Sequence, residues 1–247
     1  MHKYHPNIVS QLILLKNLLN ISLFFLCLLF SSHLQGQDSI RNTDDIYGLD
    51  PVLHNGKQYL YYPPPGTAGH QYFASATYPS GSLWIRGHQY DNQRLNYDIY
   101  HQQLILFYKN TDGSGKTIVV SDAWLEKFTL GNYNFMTFSG KDTVKQIYQY
   151  LGESPVKILY KWRKDWILEP SMGASLYIFT SPAKEKFILK DHILSAYNSN
   201  RSFIQIFSPA QQPQIKKYMR QHRIKVKKAD DAKMTGFIEF INKNCLE

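Results

Sequence analysis

The chain has 247 residues, a formal net charge of +9, two cysteines and an aromatic content of 15%, including 18 tyrosines. This length and apolar content exclude a disordered polymer and suffice for a sizeable core. Two cysteines exclude a disulfide-stapled scaffold. The tyrosine richness fits a β-rich exported protein better than a helical cytosolic one.

Residues 12–30 are dominated by Leu, Ile and Phe, with Lys3 and Lys16 towards the N-terminal side and a polar stretch at 31–37. Charged, then apolar, then small and polar is the order of a secretory signal peptide, here 1–36 with cleavage after Gly36. The rival is an uncleaved membrane anchor. The unbroken apolar run 21–30 is shorter than the roughly 20 residues a spanning helix needs. Leu26 before Cys27 is too large for a lipobox. Cleavage removes Lys3, Lys16 and no acid, which lowers the formal charge by two. It also leaves Cys245 alone, either as an inert thiol or for pairing between molecules.

Residues 37–50 are polar and aperiodic, a flexible leader. The antiparallel β domain is expected over 51–197. Asn55-Gly56 is a turn dipeptide, 59–62 a short strand, and Pro63, Pro64, Pro65 and Gly66 a stiff extended excursion. A further strand is expected over 71–78. The organising stretch is 83–108. Strand 83–86 turns through Gly87. Leu95, Tyr97 and Ile99 then alternate with Asn96 and Asp98, the period of a strand with one face buried. His101 and Gln102 leave room for a tight reversal into the apolar run 104–108.

Residues 110–116 form a loop with hairpin chemistry at Asp112-Gly113. Gly115-Lys116-Thr117 imitates the end of a phosphate-binding loop. That reading fails because Asn110 stands where a glycine is required and a β-branched run, not a helix, follows. Strands are expected over 124–130 and 133–138. Segment 141–152 is ambiguous, since Val144, Ile147, Tyr148 and Leu151 have helical spacing. One strand is expected over 156–168, broken at 170–173. Segments 176–180 and 187–190 read as a hairpin around Pro182-Ala183, and 192–197 as a last strand.

From Asn198 the character is helical, over 198–247. Asn198 or Ser199 can cap a helix carrying Phe203, Ile204 and Phe207. Pro209 and Pro213 mark a second helix with Ile215, Tyr218, Met219 and His222 on one face. Asp230 or Asp231 caps a third, in which Met234, Phe237, Ile238 and Ile241 repeat at i, i+3, i+4, i+7. The expected fold is therefore α+β, mainly β: an antiparallel sheet or partial barrel with a small C-terminal helical cap. No fixed-period repeat is present.

His70, His88 and His101, with Asp91 and Asp98 nearby, are the residues a metal site would draw on, but HxH, HExxH and CxxC spacings are absent, and solvated loop histidines are the reading adopted. No GxSxG elbow is present. Asp91, Asp98 and Glu126 are the acids to inspect for glycoside chemistry, against the reading that they tie turns and surface. No catalytic residue, metal or cofactor is assigned. Among the aromatics, Tyr90, Tyr97, Tyr100 and His101 are the candidate ligand-binding residues, the alternative being core and cross-strand pairs. Lys216, Lys217, Arg220, Arg223, Lys225, Lys227 and Lys228 form an acid-free basic run. It reads either as a solvated helix face or as a surface for anionic envelope lipid. Export argues against nucleic acid.

Asn55-Gly56 with Tyr59, Gly69-His70 with Phe73, Gly81 and Gly87 with Tyr90, and the run Leu95-Asn96-Tyr97-Asp98-Ile99-Tyr100 with Gln103-Leu104 resemble a family of uncharacterised exported bacterial β-rich proteins. The C-terminal residues Arg201-Ser202-Phe203, Ile215-Lys216-Lys217-Tyr218 and Phe240-Ile241-Asn242 are similar to that family's helical tail. The resemblance implies fold and export, and no activity. Three functions follow in order: a non-enzymatic envelope binding or interaction module, in the periplasm or at the outer membrane, for an unknown envelope protein or ligand; an envelope hydrolase acting on glycan or lipid; and an outer-membrane β-barrel, against which the helical tail speaks.

Overall fold

A computed structural model describes residues 49–140, 144–171 and 174–245, which belong to a compact unit spanning Tyr47–Glu247. The expected signal peptide, and all but the last residues of the leader, lie outside the described residues.

The sheet grows outward from one central strand, β2 (Ser80–Ile85); the short β1 (Gly56–Gln58) precedes it in the chain. Arg86 and Gly87, at φ 52° and 77°, turn β2 into β3 (His88–Asp98). Two consecutive positive-φ residues give the hairpin twist that matches the flanking strands. β3 returns as β4 (Gln103–Lys109) through 99–102, with Gln102 at φ 59°. β4 pairs with β5 (Gly115–Val120), and β5 with β1, which forms one edge.

On its other side β2 pairs with β6 (Leu125–Leu130), and the sheet continues through β7 (Tyr133–Phe138), β8 (Gln146–Leu151) and β9 (Lys157–Arg163). The chain then leaves as a separate hairpin of β10 (Trp166–Ser171) and β11 (Ala174–Phe179). It rejoins as β12 (Ala183–Lys190), beside β9, and ends the sheet with β13 (Ile193–Ala196). The result is an open, eleven-stranded antiparallel sheet. On the separate hairpin, Ile167, Leu168, Leu176 and Tyr177 are each about two-fifths exposed or more.

Three helices follow: α1 (Asn200–Gln205), α2 (Gln212–Gln221) and α3 (Asp231–Asn244). Ser199 and Ser202 cap α1 reciprocally, each side chain accepting from the other's backbone N–H. Asp230 caps α3 through Lys233 N at 2.7 Å. Met234, Phe237, Ile238 and Ile241 of α3 are fully buried. At about 1.5–3 kcal/mol each, their burial outweighs the roughly 1 kcal/mol lost at Gly236. They join Val156, Ile158, Tyr160 and Ile188 of the sheet in one apolar cluster, and Cys245 is buried in it. That burial raises the thiol pKa and withdraws the sulfur from partners in solution. A second cluster gathers β2–β7 around Leu95, Tyr97, Phe128 and Phe135, and Trp162 packs against both.

Several sequence expectations are corrected. Asn96 and Asp98 do not face water: they are 3% and 0% exposed, because the irregular segment 59–77 lies across that face of β3. Asn96 Nδ2 donates to Ser75 O and Thr77 O, and Phe73 N donates to Tyr97 O. Segment 71–78 is accordingly no strand; only an isolated bridge links Tyr72 to Asp98. The first strand is Gly56–Gln58 rather than 59–62. Gly56 is there for closeness, since a Cβ would collide with Val119 O of β5. Segment 146–151 is a strand, and the helical spacing around it is coincidental. The strand expected over 156–168 is two, and 176–180 pairs with β10 rather than with 187–190. The break falls where Lys164, 8% exposed, turns inward to give Nζ–H bonds to His70 O (2.7 Å) and Tyr72 O (2.8 Å).

Candidate functional site

Where β7, β8 and β9 meet the start of α3, the sheet and the helix enclose a cleft of about 760 Å³. Strand register builds its floor. Gln149 stands opposite Phe135 and Tyr160, and Trp162 opposite Lys184, so one face presents Tyr133, Gln149, Trp162 and Lys184. The α3 N-terminus brings Asp231 over them, with Glu239 two helical turns further along.

These groups are locked together. Trp162 Nε1 donates to Gln149 Oε1 at 2.7 Å, and Gln149 Nε2 donates to Asp231 Oδ2 at 2.7 Å. Lys184 Nζ donates to Asp231 Oδ1 at 2.9 Å while lying 3.9 Å from the Tyr160 ring centroid and 5.0 Å from that of Trp162. Gln149 is 2% exposed, so both its polar ends are desolvated and satisfied. Burial, and behind it the charge of Asp231, pushes the Tyr160 phenol above its ordinary range. The exposed parts of the cleft are at its rim, where Tyr133 is 40% exposed and Glu239 and Asn132 face solvent. The walls offer an aromatic platform beside fixed polar groups, suited to holding a partly apolar, hydroxyl- or amide-bearing ligand.

The residues singled out from sequence do not converge here. Tyr97 is fully buried, packed edge-on against Phe128 and Phe135, with its hydroxyl donating to Gln102 Oε1 at 2.9 Å. Tyr90 donates to Asp50 Oδ2 at 2.9 Å. Only Tyr100 and His101 meet, edge to face at 4.7 Å, closed over by Phe179 and Tyr61.

The acids act as ties. Asp98 accepts the Tyr59 hydroxyl (2.7 Å) and His101 Nδ1–H (2.8 Å) on Oδ2, and the N–H groups of Tyr100 (3.0 Å) and His101 (2.9 Å) on Oδ1. Gln71 Nε2 supports the Tyr59 oxygen at 2.9 Å. This network fixes the β3–β4 turn under the covering segment. Glu126 accepts from Gly87 N at 2.7 Å and so caps the β2–β3 turn; Asp91 holds Ser82 and Gln89 on the same hairpin. His70 takes the Tyr72 N–H at 3.2 Å, and His88 is exposed. Among the described residues no three His, Cys, Asp or Glu side chains form a cluster that could hold a metal ion.

The basic run falls on α2 and the turn after it. Lys216, Lys217, Arg220, Arg223, Lys225, Lys227 and Lys228 are all exposed, while Ile215, Met219, Ile224 and Val226 between them are buried.

Fold and site together define an α+β protein, mainly β, with a helix-roofed cleft on an open antiparallel sheet. Comparison of the chain with family models, curated proteins and solved structures finds no match. The sequence marks none of Gln149, Trp162, Lys184 and Asp231 as a site residue, and Asp231 only as a possible helix cap. The one local signal is the Trp162-x and Lys184-x alternation on two strands, which becomes a site only once their register is known.

Proposed function

We propose that this chain is a non-enzymatic, exported binding module of the cell envelope, with the helix-roofed cleft as its ligand site. The same reading groups it with the exported β-rich proteins its motifs resemble. The observation that carries it is the preassembled Trp162–Gln149–Asp231–Lys184 network. A site whose walls are fixed before the ligand arrives loses little ordering entropy on binding. The acids marked from the sequence support binding over hydrolysis: Asp91, Asp98 and Glu126, like Asp231 in the cleft wall, each already accept hydrogen bonds that hold turns or walls, and the cleft's other rim acids, Glu153 and Glu239, are open to solvent, whereas a hydrolytic pair sets one carboxyl in a water-shielded pocket. The apolar run at 12–30 supports export. An open sheet in lipid would leave two edges unsatisfied, which speaks against the barrel alternative.

The test uses thermal melting of the purified chain against size-fractionated soluble envelope extract. A fraction that raises the melting temperature of the wild type but not of Tyr133→Ala or Glu239→Gln, both rim changes, supports the cleft. Stabilisation indifferent to both substitutions, or none in any fraction, sinks it. Cell fractionation checks export: a shortened chain is expected in the envelope, and full-length chain confined to the cytoplasm overturns that part.

A further inference from the structure

The turn that ends α2 contains an arginine where the backbone favours glycine. Ile224 N donates to Met219 O at 2.8 Å and Arg223 N to Arg220 O at 3.3 Å. That pair of bonds is the helix-ending motif whose penultimate residue takes a left-handed conformation, usually filled by glycine. Here it is Arg223, at φ 50°. The strained backbone is held from outside: Asn200, at the start of α1, accepts Val226 N (2.9 Å) and donates to Ile224 O (3.2 Å). Arg86, Asn92, Gln102, Asp191 and His192 also take positive φ, so the strain alone assigns nothing and the surroundings of Arg223 decide its role.

Arg223 does not stand alone. With Lys216, Arg220 and Lys225 it rims a groove of about 510 Å³ whose floor includes Ile204 and Met219. Among the described residues none of these four cations enters an ion pair with an acid. Lys217, Lys227 and Lys228 are exposed as well, Lys227 beside a separate groove against β12 and β13. A cation at a helix C-terminus also gains from the helix dipole, but that rationale needs one charge near the last turn. It explains neither the strained position of Arg223 nor Lys216 in the first half of α2.

We propose that this groove binds the phosphate-bearing headgroup of an anionic lipid at a bilayer surface. Arg220 and Arg223 supply fork-shaped donors matched to phosphate oxygens. Lys216 and Lys225 add charge on either side, and the apolar floor suits the first methylenes of the lipid's acyl chains. Four cations set around one groove, beside further exposed lysines, complement an extended anionic plane better than a single soluble ion. The site lies on α2, apart from the cleft over β7–β9, and its success or failure leaves the cleft's function untouched.

The experiment is vesicle flotation of the purified chain with phosphatidylglycerol/phosphatidylcholine mixtures or phosphatidylcholine alone, alongside calorimetric titration with glycerol 3-phosphate. Binding is expected only to the phosphatidylglycerol vesicles, weakening as salt rises from about 0.1 M to about 0.5 M. Arg223→Gly and Arg220→Gln should each lower partitioning about fivefold. Arg223→Gly should do so with an unchanged or higher melting temperature, because it relieves the left-handed residue. Arg220→Gln, on the exposed helix face, carries the test independently of the turn. Equal binding to both vesicle types, or no binding, overturns the proposal. Losses no larger than those of a Lys227→Gln/Lys228→Gln control also overturn it, since charge alone would then act. Tight binding of glycerol 3-phosphate without vesicle binding would assign the groove to a soluble phosphate instead.

Discussion

Removing the Tyr59 hydroxyl tests whether the buried Asp98 network holds the covering segment on β3. Tyr59→Phe keeps the ring, so the volume stays filled. What is lost is a 2.7 Å hydrogen bond to a fully buried carboxylate, and the acceptor for Gln71 Nε2. A bond to a charged group contributes about 1.5–3 kcal/mol and a neutral one about 1, so the expected loss is about 2–4 kcal/mol. Asp98→Ala strands the Tyr59 hydroxyl, the His101 ring N–H and two turn N–H groups, and should cost about 3–5 kcal/mol. Burial above all raises the Tyr59 phenol pKa, so it remains a donor across the working pH range and cannot adapt by ionising. Once the carboxylate is gone that hydroxyl has a buried, unpaired donor and keeps only the Gln71 Nε2 bond, so its removal gains about as much as it loses. The double variant should therefore lie within about 1 kcal/mol of Asp98→Ala alone, with a coupling of about 2 kcal/mol. Urea unfolding followed by far-UV circular dichroism gives the three values by linear extrapolation. Additivity within about 0.5 kcal/mol would refute the network, and a Tyr59→Phe loss below that figure would show that segment 59–77 is held by packing alone.

Two further outcomes are expected. Gly152 sits at φ 78° against Ile238 of α3, with no space for a Cβ. Gly152→Ala should thus lose about 2–4 kcal/mol, from left-handed strain plus overpacking, read as a lower urea midpoint at unchanged slope; a loss under about 1 kcal/mol would mean that α3 shifts freely on the sheet. Burial first, then the charge of Lys164, holds the His70 imidazole below its ordinary pKa. The unfolded chain then takes up that proton first as pH falls, so stability present above the ordinary histidine range is lost on descending through it. The melting temperature should drop between about pH 7 and about pH 5, and His70→Asn, which keeps an acceptor for Tyr72 N, should flatten that drop. An identical slope in the variant would clear His70 of the role.

How far the sequence could be read depended on how local the deciding contacts are. The β2–β3–β4 turns were legible because Gly87 and the alternation from Leu95 to Ile99 lie within a few residues of the structure they specify. The same holds for α3, where Asp230 caps a helix whose apolar stripe is complete within itself. Period two stated correctly that Leu95 and Tyr97 point to a core. It could not state that Asn96 and Asp98 are roofed as well, because the roof is irregular chain bonded to side chains some twenty residues away, leaving no period to detect. Lys164 broke an expected strand for a related reason: its partners are the carbonyls of His70 and Tyr72, more than ninety residues earlier. The cleft was invisible for the strongest version of this cause, since Gln149, Trp162, Lys184 and Asp231 come from four elements joined only by register and helix docking. Tyr97 shows the converse error, an aromatic rich in apparent recognition chemistry whose whole ring is used as filling.

The hairpin of β10 and β11 leaves the sheet after Arg163 and returns at Ala183, and those two residues face each other as ladder partners. The ladder is thus already closed at the point where the excursion departs, and the excursion hangs from it like a pendant on a finished clasp. Its exposed side chains, Ile167, Leu168, Leu176 and Tyr177, can be exchanged without altering that ladder, provided its anchors stay: Lys164, the two backbone hydrogen bonds between Ala68 and β11, and Phe179 against Tyr100. The molecule therefore joins a sheet whose ladder is complete without the hairpin to an excursion tied back onto the segment that roofs β3.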